Sequence, residues 1–176
     1  MSERRHKQVV NIDEVAVREE ARGGFGFRTR RLGLEASGRA IGCSHFEIPP
    51  GKTSFPFHWH SAMEEALYIL EGTGAARIGA DTVEVRAGDY IAYPPGPATS
   101  HTITNTGTTP LRYLALSGNA SPVTMDIVGY PDSKKIAYAS GVDPQKGPRA
   151  GGWILGLHKE QSPTDYYLDE PIASKE

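Results

Sequence analysis

The sequence predicts an all-β protein, because short apolar segments alternate with turn residues at nearly regular spacing from Pro49 onward. Between residues 40 and 117 no segment keeps an apolar period of 3.6 residues, which disfavours long helices and alternating βα units. Glycine, proline, asparagine and aspartate mark the breaks, at residues 71–74, 79–81, 87–89, 94–97 and 105–107. Strands that are this short and this numerous must close into a barrel or pack as two sheets.

The apolar segments define the predicted strands in chain order. Residues 1–22 are polar with a few valines and can form either a short leading strand or a loop arm, and the glycine-rich stretch 23–27 marks a bend. The strands that follow are predicted at residues 27–33, 40–48, 55–60, 65–71, 74–79, 82–86, 89–94, 100–104 and 111–117.

Towards the C-terminus the alternation weakens. Two more strands are predicted at residues 123–129 and 134–139, around a turn at 130–133. Residues 140–152 are rich in glycine and proline, and residues 153–158 form a short apolar segment. We interpret the chain as one domain with three parts: an N-terminal arm with leading strands (1–39), a barrel core (40–117) and a C-terminal extension that packs on the barrel (118–176).

Length and charge narrow the class of protein. A chain of 176 residues has the size of one domain with a substantial core. The formal net charge of −2 offers no basic surface for nucleic acid or for an anionic membrane. The sequence has no apolar leader and no apolar run near the roughly 18 residues that span a bilayer. We therefore expect a cytoplasmic protein without nucleic-acid or membrane partners.

Two histidines and a glutamate form the candidate functional pattern. His58 and His60 lie two residues apart, so that in an extended strand both imidazoles point to the same face. A turn over residues 61–64 would return Glu65, at the start of the next strand, to that space. Two imidazoles and a carboxylate are a common ligand set for first-row transition metals.

The spacing around these residues resembles that of the cupin superfamily. Gly51-x6-His58-x-His60-x4-Glu65-x6-Gly72 resembles the first cupin motif, and Gly88-x5-Pro94-x-Gly96-x4-His101-x3-Asn105 resembles the second, with fifteen residues between them. The resemblance covers residues 40–117, and the Tyr-Pro-Asp-Ser segment at 130–133 is similar to that of small single-domain bacterial cupins. It implies a double-stranded β-helix, the jelly-roll barrel of this superfamily.

The resemblance also implies a metal site. The ligands that match the two motifs are His58, His60, Glu65 and His101, with Glu64 as the rival carboxylate. The loop between Gly96 and His101 holds four residues where the family usually has two. One divalent transition metal per chain is expected (Fe, Mn, Zn or Ni), with open positions for water or substrate.

Several neighbouring residues admit alternatives. His45 is either a partly exposed strand histidine or a fifth ligand, and Cys43 is expected to be a small buried hydrophobe. Trp59 faces away from the ligands and is expected to pack against the second sheet or a partner subunit.

The strand aromatics Tyr68, Tyr93 and Tyr113 are expected in the core, with the alternative that one of them lines the pocket. Asn105 is expected in a turn or in a side-chain bond to the backbone.

The function expected from the resemblance is that of a metal-dependent enzyme acting on a small molecule. Iron would give a dioxygenase, whereas Mn, Zn or Ni would act as a Lewis acid in an isomerase or epimerase. A sugar-phosphate isomerase would need phosphate contacts, for which the basic candidates are Arg28, Arg30, Lys52 and Arg112.

The alternative is a small-ligand-binding or sensor cupin without catalysis. Residues 1–40 show no two-helix pattern, which disfavours a DNA-binding regulator. We expect a homodimer, because long edge strands need covering and small cupins are commonly dimers.

Overall fold

The computed structural model describes residues 5–38, 40–119, 125–140 and 154–159, and these residues form an almost entirely β fold. One helical turn, α1 (Leu32–Glu35), interrupts the strands, and short 3₁₀ turns lie at Ile12–Glu14, Pro97–Thr99 and Pro131–Ser133. The strands are β1 (Arg18–Arg22), β2 (Phe25–Arg30), β3 (Ile41–Ile48), β4 (Trp59–His60), β5 (Met63–Glu71), β6 (Thr73–Ile78), β7 (Asp81–Arg86), β8 (Tyr90–Tyr93), β9 (His101–Thr104), β10 (Leu111–Asn119), β11 (Met125–Tyr130), β12 (Lys135–Ser140) and β13 (Ile154–Lys159).

The strands form three antiparallel sheets, which confirms the predicted double-stranded β-helix. The largest sheet has the order β1-β2-β3-β10-β5-β8, and a smaller sheet has the order β7-β6-β9. Backbone bridges from Thr53 to Thr104 and from His58 to His101 bring the segment 53–58 alongside β9. That segment continues into β4, which belongs to the third sheet, of order β13-β12-β11-β4.

The core lies between the large sheet and the β7-β6-β9 sheet. Strand residues alternate between the two faces of a sheet, so every second side chain of β3, β5 and β10 points inward. The side chains of Ile48, Ile69 and Leu111 are fully buried. Each such side chain stabilises the fold by about 1.5–3 kcal/mol relative to an exposed position.

Asn105 connects the turn after β9 to the core through hydrogen bonds. These bonds confirm the expected side-chain bonds to the backbone. Its side chain is fully buried and its Nδ2 donates to the carbonyl oxygens of Ile48 and Thr109, at 2.7 and 2.8 Å. Its Oδ1 accepts a hydrogen bond from the Gly107 backbone N–H at 2.9 Å. One side chain thereby satisfies three backbone groups.

The C-terminal extension joins the barrel beside the candidate ligands. β11 pairs with β4 in the register Val128↔His60 and Gly129↔Trp59. A Cβ atom at Gly129 would overlap the indole ring of Trp59, so the ring lies directly over this glycine. This contact lies within the β13-β12-β11-β4 sheet, so it supports neither of the two predicted alternatives for Trp59.

Most predicted strands are confirmed, but the bounds of two predicted strands were wrong. The strand expected over 55–60 is regular only at Trp59–His60, because the preceding residues bond through isolated bridges. The strand expected over 27–33 ends at Arg30, where α1 follows after one residue.

At the two ends of the chain, the strands expected at 123–129 and 134–139 are β11 and β12, and the apolar segment at 153–158 corresponds to β13. Residues 1–22 contain a leading strand, β1, whereas 141–153 lie outside the described residues. No helix in the described ranges is long and apolar enough to cross a bilayer.

Candidate metal centre

Three imidazole rings converge on one carboxylate oxygen. The Nε2 atoms of His58, His60 and His101 lie 3.7, 3.4 and 3.1 Å from Oε2 of Glu65. His60 lies on β4, and His58 lies just before that strand. Glu65 lies on β5, and His101 is the first residue of β9. The structure therefore brings all four residues of the predicted ligand set together.

His58, His60 and Glu65 form a group that is compact enough to hold a metal ion. Among the described residues, one ligand atom from each of these three lies within 4.8 Å of the others, so that they could hold a metal ion together. His101 lies outside this group of three but is hydrogen-bonded to Glu65. The rival carboxylate, Glu64, is exposed, as expected for the next residue along a strand.

His101 lies at the site although the loop before it is longer than usual for the family. Residues Pro97–Thr99 form a 3₁₀ turn, closed by hydrogen bonds from Thr99 Oγ1 to the Gly96 carbonyl and from Ser100 Oγ to the Pro97 carbonyl, at 2.8 and 2.6 Å. Because the extra residues are taken up by the turn, they do not displace the first residue of β9.

Hydrogen bonds at the far side of each ring determine which nitrogen faces Glu65. Nδ1 of His58 lies 2.8 Å from the Pro56 carbonyl oxygen, and Nδ1 of His101 lies 3.0 Å from that of Thr99. A carbonyl oxygen only accepts, so each Nδ1 carries the proton and the Nε2 of a neutral ring carries a lone pair. A protonated Nε2 can donate to the Glu65 carboxylate, as in the 3.1 Å contact of His101, whereas the lone pair of a neutral ring can bind a divalent metal at the same place.

Asp126 fixes the third ring. Its Oδ2 lies 2.5 Å from Nδ1 of His60, while its Oδ1 accepts hydrogen bonds from Ser61 N, Ser61 Oγ and Ala62 N at 3.1, 3.2 and 3.0 Å. Carboxylates in this position orient a metal-binding histidine and hold its tautomer. No sequence pattern pointed to Asp126, because it lies on β11, 66 residues after its partner.

The pKa values of the site reflect this crowding of opposite charges. Burial disfavours the charged imidazolium of His60, but hydrogen bonds to Asp126 and Glu65 outweigh it and raise its pKa to about 9. Burial would raise the pKa of Glu65, but hydrogen bonds from His101, His58 and His60 hold it well below the usual range. The site keeps a partly buried negative charge on Glu65, which a cation can match.

A cavity of about 200 Å³ adjoins these residues inside the barrel. Its described wall includes the three ligand candidates His58, Glu65 and His101, together with mainly apolar and aromatic side chains: Phe55, Leu67, Tyr93, Ile103, Tyr113, Ala115 and Leu116, and the hydroxyl residue Ser54. Two of the three strand tyrosines thus line the cavity, whereas Tyr68 is 41% exposed on the outside.

His45 corrects one expectation. It is buried, with 4% of its surface exposed, and not a partly exposed strand residue. β3 lies between β2 and β10, and α1 packs against it, so the side of β3 that faces away from the core is covered. His45 is not in the metal-binding group, which leaves the fifth-ligand alternative without support. Cys43, on the same side, is half-buried, and burial raises the pKa of its thiol.

None of the four basic residues considered for phosphate lines the cavity. Arg28 and Arg112 form ion pairs with Glu47, at 3.2 and 2.8 Å, and Lys52 Nζ donates to the Gly23 carbonyl oxygen at 2.7 Å. Arg30 pairs in register with His45 on the β2–β3 ladder.

The described residues form a small β-barrel with a candidate metal site, and the comparisons indicate related proteins. Residues 44–117 match the cupin domain family (Cupin_2). This match and the fold of the described residues together support a cupin superfamily protein.

Similar proteins carry different names. The crystal structure of a candidate sugar phosphate isomerase from Acidithiobacillus ferrooxidans superposes with a TM-score of 0.71 at 27% identity, over 85% of this chain and 92% of that one. An uncharacterized protein from Methanocaldococcus jannaschii is 40% identical over 70 residues, which are 40% of this chain and 54% of that protein.

A third protein, the oxalate-binding protein of Thermotoga maritima, is 37% identical over 73 residues, 42% of this chain and 58% of that protein. This chain spans little more than half the length of these two curated relatives.

Proposed function

We propose that this protein is a metal-dependent enzyme that acts on a small molecule bound in the barrel cavity. The observation that carries the proposal is the convergence of three histidine Nε2 atoms on Glu65 Oε2, at the wall of that cavity. A catalytic metal site needs protein ligands on one side and room for a reactant on the other, and this arrangement offers both.

His58, His60 and Glu65 would hold the ion, with His101 as the fourth ligand. A divalent ion bound there would supply Lewis-acid chemistry to a carbonyl or hydroxyl group or, as iron, chemistry with O₂. The chain itself contributes the orientation of the ligands, because Pro56, Thr99 and Asp126 each accept a hydrogen bond from one ring. The apolar wall keeps bulk water away from a molecule in the cavity.

The alternative function is binding of a small ligand without turnover. It is supported by the similarity to a relative that is named for binding oxalate. The same metal ligands and the same cavity would serve this function, so the two proposals differ only in whether the bound molecule is changed.

We also propose a homodimer. Tyr68, Leu70 and Tyr90 are 41%, 43% and 62% exposed, and Tyr68 pairs in register with Tyr90 at the β8 edge of the large sheet. An exposed apolar patch beside a sheet edge is the kind of surface that a second subunit covers. Size-exclusion chromatography with light scattering tests this, with a Tyr90→Lys variant expected to shift the protein to the monomer.

Turnover assays separate the enzyme from the binding protein. The protein is loaded with Fe(II), Mn(II) or Zn(II) and incubated with a panel of small hydroxy and carbonyl compounds, with and without O₂, and products are followed by NMR. Metal-dependent product that is lost in a His58→Ala/His60→Ala variant supports the enzyme. Binding of a panel compound without product for any of these metals favours the alternative.

A further inference from the structure

Tyr93 has a hydroxyl group without a hydrogen-bond partner in the wall of the cavity. Its side chain is 2% exposed, and its hydroxyl is one of three buried polar atoms among the described residues that lack a partner, the others being Thr29 Oγ1 and His45 Nδ1. Of these three residues only Tyr93 lines the cavity. A buried hydroxyl without a partner costs about 1–3 kcal/mol, so its retention in a cavity wall calls for an explanation.

The neighbourhood of Tyr93 connects it to the metal ligands. Its ring is stacked on that of His101, with centroids 3.7 Å apart and planes inclined by 3°. A tyrosine phenol is protonated at neutral pH, so the Tyr93 hydroxyl can donate a hydrogen bond. The other cavity tyrosine differs, because the Tyr113 hydroxyl is hydrogen-bonded to Ser54.

The cavity limits the size of the molecule that can occupy it. Its volume is about 200 Å³. An apolar cavity of about 150 Å³ holds benzene, whereas sites for drug-sized ligands measure about 300–1,000 Å³. The cavity therefore suits a compact molecule somewhat larger than benzene and is too small to enclose a sugar phosphate.

The charges of the wall limit the charge of that molecule. A divalent ion together with the Glu65 carboxylate leaves a net charge of about +1, and the Asp126 carboxylate behind His60 reduces it, so the site matches at most one negative charge on a ligand. No lysine or arginine is among the described residues that line the cavity. A second negative charge would be buried against Phe55, Leu67 and Ile103 without a partner, which is costly.

We propose that the cavity binds a compact, uncharged or singly charged carbonyl or carboxylate compound with an apolar tail, and that the Tyr93 hydroxyl donates a hydrogen bond to one of its oxygen atoms. The inference rests on the proposed function, because the metal supplies the positive charge. It assigns Tyr93 as a specificity-determining residue, and it separates this chain from relatives named for doubly charged molecules.

The test uses the full chain loaded with zinc, with metal content measured before and after each titration. Calorimetry with 2-oxoisovalerate, a branched singly charged oxo acid, is compared with oxalate and with glucose 6-phosphate. We expect 2-oxoisovalerate to bind about tenfold or more tightly than either doubly charged probe. Tyr93→Phe is expected to weaken its binding about tenfold, the effect of losing one hydrogen bond to a charged group.

The stability of the same variant gives a second readout. Because the hydroxyl has no partner in the free protein, Tyr93→Phe is expected to raise Tm by about 2–4 °C. Tyr113→Phe, which removes a satisfied hydroxyl, is expected to lower it. Thr82→Val removes an exposed hydroxyl on β7 that does not line the cavity, and it serves as the control that changes neither quantity.

Two kinds of failure are distinguishable. If the protein takes up no zinc, the proposed function is wrong and this inference falls with it. If zinc is bound but oxalate or glucose 6-phosphate binds more tightly than the oxo acid, or no probe binds, the ligand class is wrong while the metal site stands. A Tyr93→Phe variant that is less stable and binds the oxo acid unchanged would show that the hydroxyl is only structural.

Discussion

Asp126 Oδ2 lies 2.5 Å from Nδ1 of His60, so a residue of the C-terminal extension determines the tautomer of a candidate metal ligand in the barrel core. We predict that Asp126→Asn lowers metal affinity about 10–100-fold. The amide can keep the bonds from Ser61 and Ala62 through its oxygen, but its NH₂ group would donate to Nδ1 and move the ring proton to Nε2.

Competition with a chromophoric chelator measures this affinity. Asp132→Asn is the matched control, because Asp132 lies in the turn between β11 and β12 and pairs with Arg77 at 2.6 Å, away from the ligands. Equal affinity of the Asp126→Asn variant and wild type would contradict the positioning role of Asp126.

Metal binding should depend on pH through His60. Hydrogen bonds to Asp126 and Glu65 overcome burial and raise its pKa from 6.5 to about 9. The proton on the metal-free ring therefore stabilises the fold at low pH, and this contribution is lost as pH rises from 6.5 towards 9. The metal competes with this proton, so its affinity should rise with pH over the same window.

Calorimetry in buffers of different ionisation enthalpy measures the proton release. At pH 7 we expect zinc binding to release a proton from the wild-type site. Zinc binding with the same affinity at pH 7 and pH 9 and no proton release would contradict the assignment of His60 as a ligand.

Asn105 should be a strong determinant of stability. We predict that Asn105→Ala lowers the free energy of unfolding by about 2–4 kcal/mol, because it leaves buried partners of three hydrogen bonds unsatisfied. Urea denaturation gives this value. The neighbouring exposed residue supplies the control, since Thr106→Ala is expected to change stability by no more than about 0.5 kcal/mol. A similar free energy of unfolding for the two variants would contradict the prediction.

Gly129 should be needed for the junction between β4 and β11. We predict that Gly129→Ala lowers the free energy of unfolding by about 1–3 kcal/mol and weakens metal binding, because the added methyl group would displace the Trp59 ring beside His60. Gly118→Ala is the matched control on β10, where a Cβ atom would meet no atom within 4 Å. If the Gly129→Ala variant is as stable as this control, the Trp59 ring can move without a loss of stability and the prediction is wrong.

The part of the site that depends on short sequence distances was predictable. His58, His60 and Glu65 lie on one strand-turn-strand segment, where strand alternation and a turn are enough to bring them together. His101 followed from the cupin resemblance, and the number of residues before it did not matter because a 3₁₀ turn absorbs them.

The part that depends on long-range register was not predictable. Asp126 meets His60 only because β11 pairs with β4 in one particular register, which no local pattern specifies. The burial of His45 was predicted wrongly because a single helical turn covers its strand, and the apolar residues of that turn resembled the end of a strand. Tyr93 and Tyr113 could be assigned to strands, but which tyrosine lines the cavity depends on the closed barrel.

The most direct test of the account is elemental analysis of the purified protein beside a His58→Ala/His60→Ala variant, prepared with the same metals available. We predict about one first-row transition metal per wild-type chain, and its loss in the variant. A folded wild-type protein that carries no metal, and that gains none on titration with Fe(II), Mn(II), Zn(II) or Ni(II), would contradict the account.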